Sequence, residues 1–150
     1  MDTLNELFED QMKDLYSAEQ QLVKALPKMA KRASNPELKR GIENHLQQTE
    51  QQLARLEQIG EQCGIKLTGK KCKAMEGLIE GGSEVLKGDG DACVIDAALI
   101  AAAQRVEHYE ISAYGSARAI AERIGNTSAV ELLQQSLDEE ADTDKQLSAL

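Results

Sequence analysis

The residues of this chain with chemical potential are mostly acidic, and their spacing is helical. Glu107 and Glu110 stand three apart in Val106-Glu107-His108-Tyr109-Glu110, inside a segment from Val94 to Ile124 that no helix breaker interrupts before Gly125. Residues three apart share a helix face. Leu99, Ala103, Val106, Ala113, Ala117, Ile120 and Ile124 advance in the threes and fours of a buried stripe. Glu110 falls inside that stripe and Glu107 on its edge. A buried carboxylate without a partner is costly, or is forced to hold a proton. Its partners must come from other helices.

Those helices offer them. Glu19 lies in the stripe of Leu15, Leu22 and Leu26. His45 and Thr49 are the polar members of the series Leu38, Ile42, His45, Thr49, Leu53, Leu56 and Ile59, with Gln47, Gln48, Glu50, Gln51 and Gln52 read as a solvated face. Near the C-terminus, Glu140 and Asp144 occupy core positions among Val130, Leu133, Leu137 and Leu147. Antiparallel packing of helices that rise about 1.5 Å per residue brings these positions to one level. Unit charges 4 Å apart repel by about 4 kcal/mol even at an effective dielectric near 20. A pair of metal ions would remove that repulsion, and carboxylates with one or two imidazoles suit iron, manganese or zinc. Each residue alone has a plainer reading. Acids at i and i+3 often mark a solvated face, and Glu139-Glu140 could be surface acids. A lone histidine is often a core residue, and His108 fits a bundle edge beside a neighbouring acid. Tyr16, Tyr109 and Tyr114 read as core-edge residues. The joint occurrence on four helices is what points to a metal.

Four long helices are needed to position these groups. Thr3 to Glu6 forms a capping box for the first, and Pro27 falls late in it, where a proline can bend a helix. Ser34-Asn35-Pro36 ends the first and opens the second, which runs to Cys63 before Gly64. Residues 65–91 contain a short helix from Ala74 to Lys87, and Asp91 caps a helix from Ala92 to Ile124. Ser128-Ala129-Val130-Glu131 reads as the cap of the last. Short links within each pair and one long connection between pairs are the connectivity of a ferritin-like antiparallel four-helix bundle with a long crossover and a short fifth helix.

Composition agrees. The 150 residues suit one domain, are 41% hydrophobic and only 3% aromatic, and include two prolines. This is all-α material. A net charge of −9 argues against nucleic acid and anionic membrane surfaces as partners. No stretch has the length and apolarity of a transmembrane helix or the form of a secretion signal, so the expected location is cytoplasmic. Cys63, Cys72 and Cys93 are odd in number and form no CxxC pair, which fits buried free thiols in a reducing compartment.

Tyr16-Ser17-Ala18-Glu19-Gln20-Gln21-Leu22, the run Cys72 to Glu80, the run Asp96 to Ile111, and Leu137-Asp138-Glu139-Glu140 with Thr143-Asp144 resemble the bacterial YciE/YciF family of ferritin-like proteins over nearly the whole chain. The resemblance implies a rubrerythrin-like bundle, a homodimer, a di-iron site and a link to stress responses. Carried onto this sequence, it makes Glu19, Glu107, Glu110 and Glu140 the metal ligands, with His45 and Asp144 next. Ile42 removes a Glu-x-x-His pair from the second helix, and Asp144 stands where a histidine ligand is expected. Gln48 stands where the family often has an acid, and no rubredoxin-like cysteine pair supplies an electron relay. The expected function is a two-iron centre, or its manganese or zinc counterpart, reacting with dioxygen or peroxide in a peroxidase-type oxidoreductase. The alternative is a non-enzymatic bundle that keeps the fold without a working metal site.

Overall fold

Local sequence sets the helix ends. Thr3 accepts a hydrogen bond from the Glu6 backbone while the Glu6 carboxylate accepts from Thr3, so a complete capping box opens α1, Leu4–Arg32. Pro27 lies inside α1 without ending it. Asn35 caps α2, Pro36–Cys63, and Gly64 closes it at φ +66°, the left-handed region that favours glycine. Cys72 caps the short α3, Lys73–Lys87, and Asp91 caps α4, Ala92–Arg123. The start of α5, Thr127–Ser148, differs from expectation. Asn126 is its cap, accepting from the Ala129 backbone, because the Ser128 hydroxyl is engaged with Gln62 across the bundle. This computed structural model describes residues 1–150 and contains no strand.

The four long helices bury two apolar clusters, one at each end. Leu22, Leu26 and Met29 of α1 meet Leu38 and Ile42 of α2, Ile95 to Val106 of α4 and Leu147 of α5. Phe8, Met12 and Leu15 meet Leu56 and Ile59, Tyr114 to Ala121, and Ala129 with Leu133 at the other. The late residues of α1 therefore sit with the early residues of α2 and α4, so α1 is antiparallel to both. By the same reasoning α5 is antiparallel to α2 and α4. The expected antiparallel bundle with one long crossover is the observed fold.

The crossover spans 64–91, and its helix α3 lies against α1 and α4. It is pinned at its start. The Cys72 backbone donates to Ser17 Oγ at 2.9 Å, and Cys72 Sγ lies 3.0 Å from the Tyr109 hydroxyl, which donates to Asp14 at 2.6 Å. Cys72 is buried, whereas Cys63 and Cys93 are exposed, correcting the expectation of three buried thiols. Both exposed cysteines occupy helix ends, Cys63 closing α2, where its sulfur accepts from the Asn126 amide at 3.1 Å, and Cys93 second in α4.

The α1–α2 link is held by one side chain. Asp96 accepts from the backbones of Ser34 and Asn35, each at 2.8 Å. Asp96→Ala should lower stability by about 1 kcal/mol, or roughly 2–4 °C in melting temperature, without changing helical content. Thermal unfolding followed by circular dichroism checks this.

Candidate metal centre

Between the two apolar clusters the helices turn polar side chains inward. Glu19, His45, Glu107, Glu110 and Glu140 are all buried, the four glutamates at 0% exposure. Each sits mid-helix, as the antiparallel argument requires. Glu107 and Glu110 both point inward, so Glu107 is a full member of the interior and not an edge residue. One donor atom each from His45, Glu107, Glu110 and Glu140 lies within 4.8 Å of the others. Metal–ligand distances of about 2.0–2.6 Å place donors on opposite sides of one ion at about this separation. Glu19 is outside that four-donor group but interacts with Glu110.

The electrostatics are those of an uncompensated site. His45 Nε2 lies 2.8 Å from Glu107 Oε1 and 3.8 Å from oxygens of Glu110 and Glu140. Both carboxyl oxygens of each of the four glutamates, and His45 Nε2, lack a hydrogen-bond donor or acceptor of their own. Burial pushes the Glu19 carboxyl up to about 8, with the nearby Glu110 carboxyl and Tyr114 hydroxyl opposing it. Glu107 is pushed up to about 12, first by burial and then by the adjacent Glu140 carboxyl and its charge. Burial also raises Glu110 well above the usual carboxylate range, helped by the charges of Glu140 and Glu19. The His45 imidazole is lowered by burial, despite Glu140. A neutral imidazole facing carboxyl oxygens in a dry interior is a donor set for a cation, or for protons when no cation is present.

Asp144 is not among the four close donors, although its charge bears on Glu107. It is half-buried and pairs with His108 Nε2 at 3.0 Å, which gives His108 the edge position and acidic neighbour expected of it. Residues buried on α5 are Ala129, Leu133, Ser136, Glu140, Thr143 and Leu147, a four-three alternation one step from the predicted one. Thr143 takes the inner place and donates to Gln48 at 2.9 Å. Gln52, expected in solvent, is fully buried, and Leu53 is only half-buried. The Gln52 amide approaches Glu139 at 3.4 Å, and Glu139 is held by an ion pair with Arg55. The spacing 45, 49, 52, 56, 59 carried the signal for Gln52, but Leu53 outweighed it on hydrophobicity. Tyr114, expected at the core edge, is fully buried, and the charges of Glu19 and Glu110 bear on its hydroxyl.

Comparison with known proteins places this geometry in context. The profile of a family described as "Domain of unknown function (DUF892)" matches residues 3–150. Protein YciF of Escherichia coli (strain K12) is 44% identical over 151 residues, covering 100% of this chain and 91% of that protein. The crystal structure of the Escherichia coli stress protein YciF superposes with a TM-score of 0.96 at 44% identity, over 99% of this chain and 94% of that one. YcfI of Rhodopseudomonas palustris, described in terms of a structural role, gives a TM-score of 0.96 at 40% identity, over 100% and 96%. A protein of Xanthomonas campestris at 21% identity and TM-score 0.78, over 97% and 88%, shares the fold.

The buried acids set a pH dependence with a defined sign. A carboxyl whose folded value is raised stabilises fully below its unfolded value near 4.3, and that contribution is lost as pH rises through the folded value. A lowered histidine does the reverse, losing its contribution below about 6.5. Between about pH 6.5 and 8 the acids therefore dominate, and metal-free protein should lose roughly 1.4 kcal/mol per pH unit for each proton it retains. Urea unfolding in the presence of a chelator should show a midpoint that falls over this range, with a shallower slope in Glu19→Gln and Glu107→Gln. A midpoint that rises with pH would contradict the assignment.

Proposed function

The chain belongs to the DUF892 family, and on that premise we propose that it is a ferritin-like metal-binding protein whose centre holds two iron ions, with manganese or zinc as alternatives. The observation that carries this reading is the set of buried carboxyl groups on three helices gathered around one neutral imidazole from the fourth. His45, Glu107, Glu110 and Glu140 would hold one ion. Glu19 would serve the second, with Glu110, which interacts with both Glu19 and the His45 group, shared between them. Asp144 stays outside, tied to His108. Such a centre supplies reversible oxidation of the metal by dioxygen or peroxide. The chain's own part is to exclude water, to keep His45 neutral and to surrender protons from Glu19, Glu107 and Glu110 as a cation enters. The Escherichia coli relative is described as a stress protein, and peroxide- or iron-related stress protection, in a cytoplasmic homodimer, is the role proposed here.

A second reading is a structural bundle with no working metal site. Two observations favour it. The Rhodopseudomonas palustris relative is described in structural terms, and the interior offers a single imidazole, with no histidine on α5.

Titration of chelator-treated protein with ferrous or manganous ion separates the readings. Under the metal reading, ion at about 100 times its Kd stabilises by about 2.7 kcal/mol, which is roughly 5–10 °C at this chain length. Glu110→Gln should abolish this shift, while the metal-free variant melts higher than metal-free wild type because a dry acid has gone. A metal-induced shift that survives Glu110→Gln, or no shift in wild type, contradicts the metal reading.

A further inference from the structure

The structure points to a second site, independent of the carboxylate cluster: we propose that the groove between α1, α3 and α4 binds a single-chain amphiphile with an anionic head, the chemistry of a free medium-chain fatty acid. α3 is strongly apolar on one side, yet Met75 is its only fully buried residue. Leu78, Ile79 and Leu86 are half-covered, because the helix stands off from α1 and α4. The gap is a cavity of about 260 Å³, walled by Leu22, Met29, Leu78, Leu86 and Val106. Gly82 lines it opposite Ala102, and a Cβ there would meet Ala102 at 3.5 Å, an ordinary contact distance.

The rim decides the head group. Lys24 and Lys28 border the groove one helical turn apart and are exposed. Neither lies within 4.0 Å of a carboxylate, whereas Lys13, Lys70 and Lys71 all do. Glu80 and Glu84, the nearby acids of α3, do not line the groove. Lys24 and Lys28 thus make the mouth of the groove locally positive on a chain of net charge −9. Two ammonium groups above an apolar shaft complement a carboxylate above an alkyl chain. A cationic or neutral ligand would gain nothing from the lysines, and a small dianion would leave the apolar walls unfilled. A protein partner needs an interface on the order of 1,000 Å², far more than this slot offers. The apolar walls suit an alkyl chain whose head stays at the lysine rim.

Isothermal titration of the full-length protein with decanoate, decanol and decyltrimethylammonium tests this without any metal. Decanoate should bind one per chain, at least about tenfold tighter than decanol, and decyltrimethylammonium should not bind. Lys24→Glu with Lys28→Glu, both at exposed positions, should weaken decanoate at least about tenfold and leave decanol unchanged. Gly82→Leu should block decanoate and decanol while helical content is retained. No decanoate binding at about 1 mM, equal affinity for decanol, or wild-type affinity in the double lysine variant would overturn the proposal.

Discussion

Four glutamates share a dry layer midway along this bundle, and that is the constraint to which the rest of the structure answers. Two carboxylates at 4 Å repel by about 4 kcal/mol at an effective dielectric near 20, while a whole domain is stable by only about 5–15 kcal/mol. Glu19, Glu107, Glu110 and Glu140 cannot all be ionised in this interior with nothing between them. Either protons or cations must be there. The raised values of Glu19, Glu107 and Glu110 describe the first condition, and the convergence of His45 with three of the four acids allows the second.

The fold tolerates such a layer because the apolar clusters on either side do the holding. Leu22 to Met29 with Leu99 to Val106 close one end, and Phe8 to Leu15 with Tyr114 to Ala121 close the other. Helix caps and the Asp96 bridge fix where each helix begins, and thereby the level to which each carboxyl is delivered. The polar layer is itself graded. Toward the α2–α5 seam, Gln52, Ser136, Arg55 and Glu139 satisfy one another in part, and Thr143 donates to Gln48. Toward the centre the four carboxyl groups face only His45 and the Tyr114 hydroxyl. A site that needs protons or metal is thus enclosed by groups that need neither.

Much of this was legible in the sequence. Helix periodicity identified the interior positions of Glu19, His45, Glu110 and Glu140, since each continues an apolar stripe: Glu19 between Leu15 and Leu22, His45 three after Ile42, Glu110 four after Val106, and Glu140 seven after Leu133. The misreadings have one physical origin. Where two adjacent positions compete for the inside, hydrophobicity alone picks the apolar one. Leu53 was favoured over Gln52, and Leu137 over Ser136, although the helix phase set by Leu56 and Leu133 selects the polar residue in each case. Asp144 is a related case: it fits a three-four series with Glu140 and Leu147, as Thr143 also does, and the neighbouring helices offer His108 to one and Gln48 to the other. The groove beneath α3 was not legible, because it depends on how far a short helix stands from its neighbours.

The central claim is that the inner acids are arranged for cations. Anomalous diffraction from crystals grown with ferrous and, separately, manganous ion, recorded on both sides of each absorption edge, tests it most directly. The account predicts anomalous density enclosed by His45, Glu107, Glu110 and Glu140, with further density on the Glu19 side. A fully ordered interior with no anomalous signal, the carboxyl groups bonded to one another through protons, would contradict it.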